Sequence, residues 1–175
     1  GKIYDNQLGR VLGALDALER AVEPYPLRIE CPVLMESCAE QIEMMKTLRE
    51  YLKTRKMKVQ LVADEWANTL EDIRAFVDAQ AADLIQVKMP DLGGLENAVE
   101  AVLACQQGGV KAFLGGSCAE TDLSARVSAH VALATQPAIV MAKPGMGVDE
   151  GIAIVNNEMN RTLARIHQVK PSYAS

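Results

Sequence analysis

DLIQVKMPDLGGLENAVEAVLACQQGGVKAFLGG, residues 83–116, decides the fold. Asp83–Val87 reads as a strand, carried by the apolar stretch LIQV. Pro90–Gly94 is a turn, residues 94–107 form a helix, and Val110–Leu114 is the next strand. A strand, a helix and a second strand joined this way force parallel pairing with a right-handed crossover.

The same unit extends in both directions. Upstream, Lys58–Ala63 and Leu27–Cys31 read as strands. The spacing predicts a helix over 69–79, capped by Asn68 or Thr69, with Glu71 and Asp72 at its positive end. It predicts another over 38–54, with Ile42, Met45, Leu48 and Leu52 on one face. A first helix spans 6–23, from the recurrence of Leu8, Val11, Leu12, Leu15, Leu18 and Val22, and Pro24 and Pro26 end it. Downstream, Thr121 caps a helix over 122–134, Ala138–Met141 is a fifth strand, and a last helix runs from Asp149 to His167. The order α(βα)5 makes an α/β fold, either part of a (β/α)8 barrel or a doubly wound sheet. Five strands are too few to close an eight-stranded barrel.

Composition narrows the function. The 175 residues are 49% hydrophobic, enough for a buried core. A net charge of −5 and 4% aromatics argue against nucleic acid as partner. No apolar run approaches the ~20 residues of a membrane span. Residues 1–10 show no signal-peptide pattern, since Asp5 and Asn6 interrupt it. The four cysteines (Cys31, Cys38, Cys105, Cys118) make no C-x-x-C pair. Scattered thiols fit a reducing compartment, so a cytoplasmic location is expected.

In parallel α/β folds chemistry gathers beyond the carboxyl ends of the strands. Those ends hold Glu30, then Asp64 and Glu65, then Lys88, then Gly115-Gly116-Ser117-Cys118, and last Met141 and Lys143. Glu30 and Asp64 are a candidate pair for a hard cation such as Mg2+; the alternative is that each caps a helix or pairs with a nearby cation. Glu65 faces the other way if the strand continues. Lys88, partly desolvated after LIQV, is a candidate base with a lowered pKa, or else a lysine reaching along the surface. Gln86 shares its face. The Gly-Gly-Ser nest can hold an anion through backbone N–H groups. Cys118 has no evident histidine partner. His130, His167 and Trp66 read as structural or solvent-facing, and Met44, Met45 and Met57 as core.

With these residues in view the chain resembles the barrel domain of the methylaspartate ammonia-lyase family, in the enolase superfamily. The resemblance lies in IECPV, VADEWANT, LIQVKMPDLGGLENAVEAVL, FLGGSCAETDLSARVSAHVALA and KPGMGVDEGIAIVNNEMNRT, in order along nearly the whole chain. It implies a partial barrel of about five parallel strands, the carboxy-terminal part of the barrel domain. The first barrel strands and an amino-terminal capping domain then lie outside residues 1–175.

The resemblance further implies reversible deamination of 3-methylaspartate to mesaconate and ammonia, with Mg2+ and a stimulating monovalent cation such as K+. Glu30 and Asp64 become metal ligands, Lys88 the base at C3, and Gln86, Ser117, Cys118 and Met141 substrate contacts. A third carboxylate ligand and a histidine acid–base residue belong to the absent part. The expected partners are a small amino acid and either a second copy or the missing amino-terminal part. The isolated chain is then expected to be weak or inactive. The sequence departs from the family's usual Thr-Cys at Ser117-Cys118, and Cys31 stands where glycine is common. Two other readings remain at this level, a non-catalytic half-barrel module and a sister dehydratase or racemase.

Overall fold

The computed structural model describes residues 2–141, 143 and 145–169. Helices and strands alternate in it as α1 (Leu8–Val22), β1 (Arg28–Glu30), α2 (Cys38–Thr54), β2 (Gln60–Ala63), α3 (Leu70–Asp78) and β3 (Leu84–Val87). There follow α4 (Leu95–Gln107), β4 (Lys111–Leu114), α5 (Asp122–Thr135), β5 (Ile139–Val140) and α6 (Val148–Val169). All strands run parallel, in the order β1-β2-β3-β4-β5. That order never turns back, which rules out the doubly wound sheet. Right-handed crossovers place every helix on one face, so the sheet is an arc of barrel wall.

Register sorts the two faces. Ile29 pairs with Leu61, Ala63 with Ile85, and Ile85 with Ala112. These residues, with Val87 and Leu114, join Met45, Leu48, Ile73, Phe76 and Val102 from the helices in one core. Phe76 is fully enclosed there, and burial of such a side chain contributes about 1.5–3 kcal/mol. The opposite face carries Glu30, Val62, Leu84, Gln86, Phe113 and Ile139. It is the inner side of the arc, and it leads to the strand ends.

Caps fix where the loops stop. Thr69, not Asn68, caps α3, and Thr121 caps α5, each in a capping box. Ser37 caps α2 by accepting the Glu40 N–H. The strands are shorter than the apolar pattern predicts. Cys31 has φ 38°, which bends the chain directly after Glu30. Asp83 precedes β3 and uses its carboxylate instead, accepting from the Leu61 N–H at 2.9 Å and pairing with Arg49.

Candidate active site

Glu30, Asp64, Gln86 and Lys88 form one contact chain across the ends of β1, β2 and β3. Gln86 Nε2 donates to Glu30 Oε2 at 2.7 Å. Lys88 Nζ lies 2.8 Å from Asp64 Oδ1 and 3.4 Å from Asp91 Oδ2. Burial raises the Glu30 pKa, and the charge of Asp64 and a hydrogen bond between the two carboxyls raise it further; Lys88 and Gln86 offset only part of this. Two like charges sharing one space oppose each other's ionisation.

Lys88 departs from the sequence expectation. Burial does act to lower its pKa, but the hydrogen bond and charge of Asp64, with Asp91, outweigh it, and the net shift is upward. The ammonium form is therefore favoured while Asp64 is free to pair with it. Asp91 was not singled out by the sequence. It stands three residues past Lys88 in the MPDLGG turn, and that i,i+3 spacing is the only signal it left.

The acid loops are braced locally. Cys31 Sγ accepts from the backbone N–H groups of Asp64 at 3.4 Å and Glu65 at 3.2 Å. Burial pushes this thiol up to about 11, so it stays protonated. Its left-handed φ is a conformation that favours glycine. β2 ends at Ala63, so the alternation does not reach Glu65, which is exposed in the turn that follows. Gly115 packs so closely on Gln86 that a methyl group there would overlap its amide.

The structure sets the other expected residues apart from this contact chain. Ser117 is half-buried and Cys118 exposed, both on the loop from β4 to α5. Met141, directly after β5, lines an apolar groove of about 290 Å3 with Val140, Ile152, Val155 and Met159. All three lie at the same end of the sheet as Lys88. Trp66 is packing, with Nε1 donating to the Met35 carbonyl at 3.1 Å. His130 is paired with Glu158 between α5 and α6, and His167 is exposed. Sequence reading noted Lys143 only as a strand-end residue and passed over Glu120; both are buried.

The donor set suits a hard divalent cation. Asp64 Oδ1 is buried, and the Lys88 ammonium at 2.8 Å is the cation it faces. Two carboxylates that oppose each other's ionisation in a half-buried space are relieved by a cation between them. Glu30 and Asp64 are the residues that would hold it. Among the described residues no third His, Cys, Asp or Glu joins them, and Mg2+ characteristically binds through one or two carboxylates with open positions.

Comparison with known proteins gives the family and the fold. Residues 1–168 match the family model described as methylaspartate ammonia-lyase C-terminus. Methylaspartate ammonia-lyase 1 of Carboxydothermus hydrogenoformans is 50% identical over 173 residues, which is 99% of this chain and 41% of that protein. The structure of β-methylaspartase from Clostridium tetanomorphum, solved as its Mg complex, superposes with TM-score 0.90 at 43% identity, covering 97% of this chain and 41% of that one. The Citrobacter amalonaticus methylaspartate ammonia lyase containing (2S,3S)-3-methylaspartic acid matches with TM-score 0.90 at 45% identity, over 95% of this chain and 41% of that one. A muconate lactonizing enzyme, at 19% identity and TM-score 0.58, shares the fold alone. The chain thus spans about two-fifths of the length of the relatives it matches. It belongs to the methylaspartate ammonia-lyase family, of which it carries the carboxy-terminal portion.

Proposed function

We propose that this chain supplies the metal-binding acids, the base and part of the substrate pocket for reversible deamination of 3-methylaspartate to mesaconate and ammonia. The observation that carries this reading is the Glu30–Asp64–Lys88 cluster at three successive strand ends. Glu30 and Asp64 would hold Mg2+, which when bound stabilises negative charge developing on a substrate carboxylate as a Lewis acid. A monovalent cation such as K+ completes the proposed cofactor set.

Lys88 takes the C3 proton at Nζ, which requires the neutral amine. With Asp64 engaged as a ligand, its charge no longer holds the ammonium, and burial of Nζ favours the neutral form. The C3–H electron pair becomes the new C2–C3 double bond, and the C2–N bond breaks with its electrons leaving on ammonia. Gln86, Ser117 and Cys118 orient the carboxylates and the amine, and Met141 borders the 3-substituent. Orientation of this kind removes much of the entropic part of the barrel site's task.

The rest of the active enzyme, including a third carboxylate ligand and a histidine acid–base residue, comes from the part of the family outside these residues. All four cysteines are free, which supports a reducing, cytoplasmic setting. No described helix is long and apolar enough to cross a membrane.

The test is mesaconate formation, followed by ultraviolet absorbance. The chain alone is expected to show little or no turnover. Mixed with the separately produced amino-terminal three-fifths of the Clostridium tetanomorphum enzyme, it is expected to turn over 3-methylaspartate, and Lys88→Ala is expected to abolish this. Turnover that survives Lys88→Ala would overturn the assignment of the base. A mixture that assembles and binds Mg2+ yet stays inactive would favour a non-catalytic module.

A further inference from the structure

We infer that Lys143 and Glu120 are positioning residues that fix the Gly115–Cys118 loop where Ser117 and Cys118 meet the substrate. This rests on the proposed role of those two side chains. Lys143 follows β5 and Glu120 stands just before α5, so they reach the loop from different elements. Both side chains are fully enclosed, with Lys143 Nζ 3.9 Å from Glu120 Oε1.

Their bonds to the loop are complementary. Lys143 Nζ donates to the Gly115 carbonyl at 2.7 Å. Glu120 Oε1 accepts the Ser117 backbone N–H at 3.4 Å. That carbonyl and that N–H belong to successive peptide units, on either side of Gly116. A donor to one and an acceptor from the next fix the orientation of both planes, and so the direction in which the Ser117 side chain leaves. Ser124 Oγ donates to Glu120 Oε2 and holds the carboxylate in turn. Gly145, at φ 80°, approaches the same loop so closely that a methyl group there would stand 2.5 Å from the Cys118 carbonyl oxygen. Residue 115 is thus held from beyond β5, residue 117 from the far end of its own loop, and residue 118 packs directly on the Gly145 backbone.

Stability alone does not account for the charges. A buried ion pair is often no more stabilising than apolar side chains of the same volume, because desolvation offsets the attraction. Its particular contribution is direction. The cost is visible at Lys143, where burial lowers the pKa of the amine against the pull of Glu120. The sequence placed an anion nest in this loop, and the clamp gives the nest a defined shape.

The test uses the 175-residue chain and the variants Lys143→Met, Glu120→Gln and the double variant, which leaves no unpaired buried charge if either single variant misfolds. Amide hydrogen exchange is read at Gly116 and Ser117 and, as controls, at Leu61 and Ile85. The double variant is expected to exchange at least tenfold faster at the loop amides, with the controls unchanged. Loop exchange unchanged, or accelerated equally at all four positions, would overturn the clamp. In the enzyme reconstituted with the amino-terminal part, the double variant is expected to raise KM for 3-methylaspartate at least fivefold. A fall in kcat at constant KM, as from a smaller folded fraction, would overturn the substrate role. Local exchange without any turnover by the wild-type pair would also remove the substrate role, through failure of the proposed function itself.

Discussion

Glu30 shows how one side chain couples folding to its charge state and, in the proposed function, to metal binding. Its pKa is raised in the folded chain, so the native state holds a proton that the unfolded state releases more readily. Its ionisation then opposes folding, and this group's contribution grows more favourable as pH falls through the raised value. Glu30→Gln keeps an acceptor for Gln86 and removes the charge beside Asp64. Without Mg2+ at neutral pH, the variant is expected to melt higher, by up to about 4 °C, as about 1 kcal/mol gives in a chain of this size. Calorimetric titration is expected to show its Mg2+ affinity reduced by more than about tenfold. In the wild type, Mg2+ affinity is expected to fall with pH through the raised Glu30 value; a flat profile would show that Glu30 is not a ligand. The positions of Glu30, Asp64 and Lys88 were legible because parallel strands bring their ends together. The charge state of Lys88 was not, because it depends on the approach of Asp64 and Asp91, which periodicity does not encode.

At the level of elements, caps were easier to read than strand ends. The Thr69 and Thr121 signals, each followed by a polar residue at N3, mark helix starts that the structure reproduces. Strand ends were overrun because apolar residues such as Val59 and Val110 stay buried outside the ladder. Thr69→Ala removes the α3 cap just beyond Asp64 and is expected to cost about 1 kcal/mol, read as a melting point lower by about 2–4 °C. Gly108, at the end of α4, sits against Val77 of α3. Gly108→Ala is expected to destabilise the chain through that clash although the backbone there suits any residue; a neutral melt would mean that Val77 moves aside freely. Lys143 could not be separated in the sequence from an ordinary strand-end lysine, since its partners Gly115 and Glu120 come from a different turn of the fold.

For the molecule as a whole, the strand order made the partial barrel legible, because five βα units in sequence have few other ways to pack. Among the described residues β1 pairs only with β2 and β5 only with β4, so each outer strand presents backbone groups open to pairing. Light scattering is expected to find the isolated chain self-associating, and the amino-terminal part of a relative is expected to suppress this. A persistent monomer would show that these edges are already protected. In the proposed function Lys88, Asp64 and Glu30 act as one electrostatic unit around a cation. The most direct measurement is the titration of the Lys88 ammonium by nuclear magnetic resonance, with and without Mg2+. It is expected to titrate above the ordinary lysine value without Mg2+ and to move downward as Mg2+ occupies the acids. A Lys88 titration that Mg2+ leaves unchanged would contradict the account.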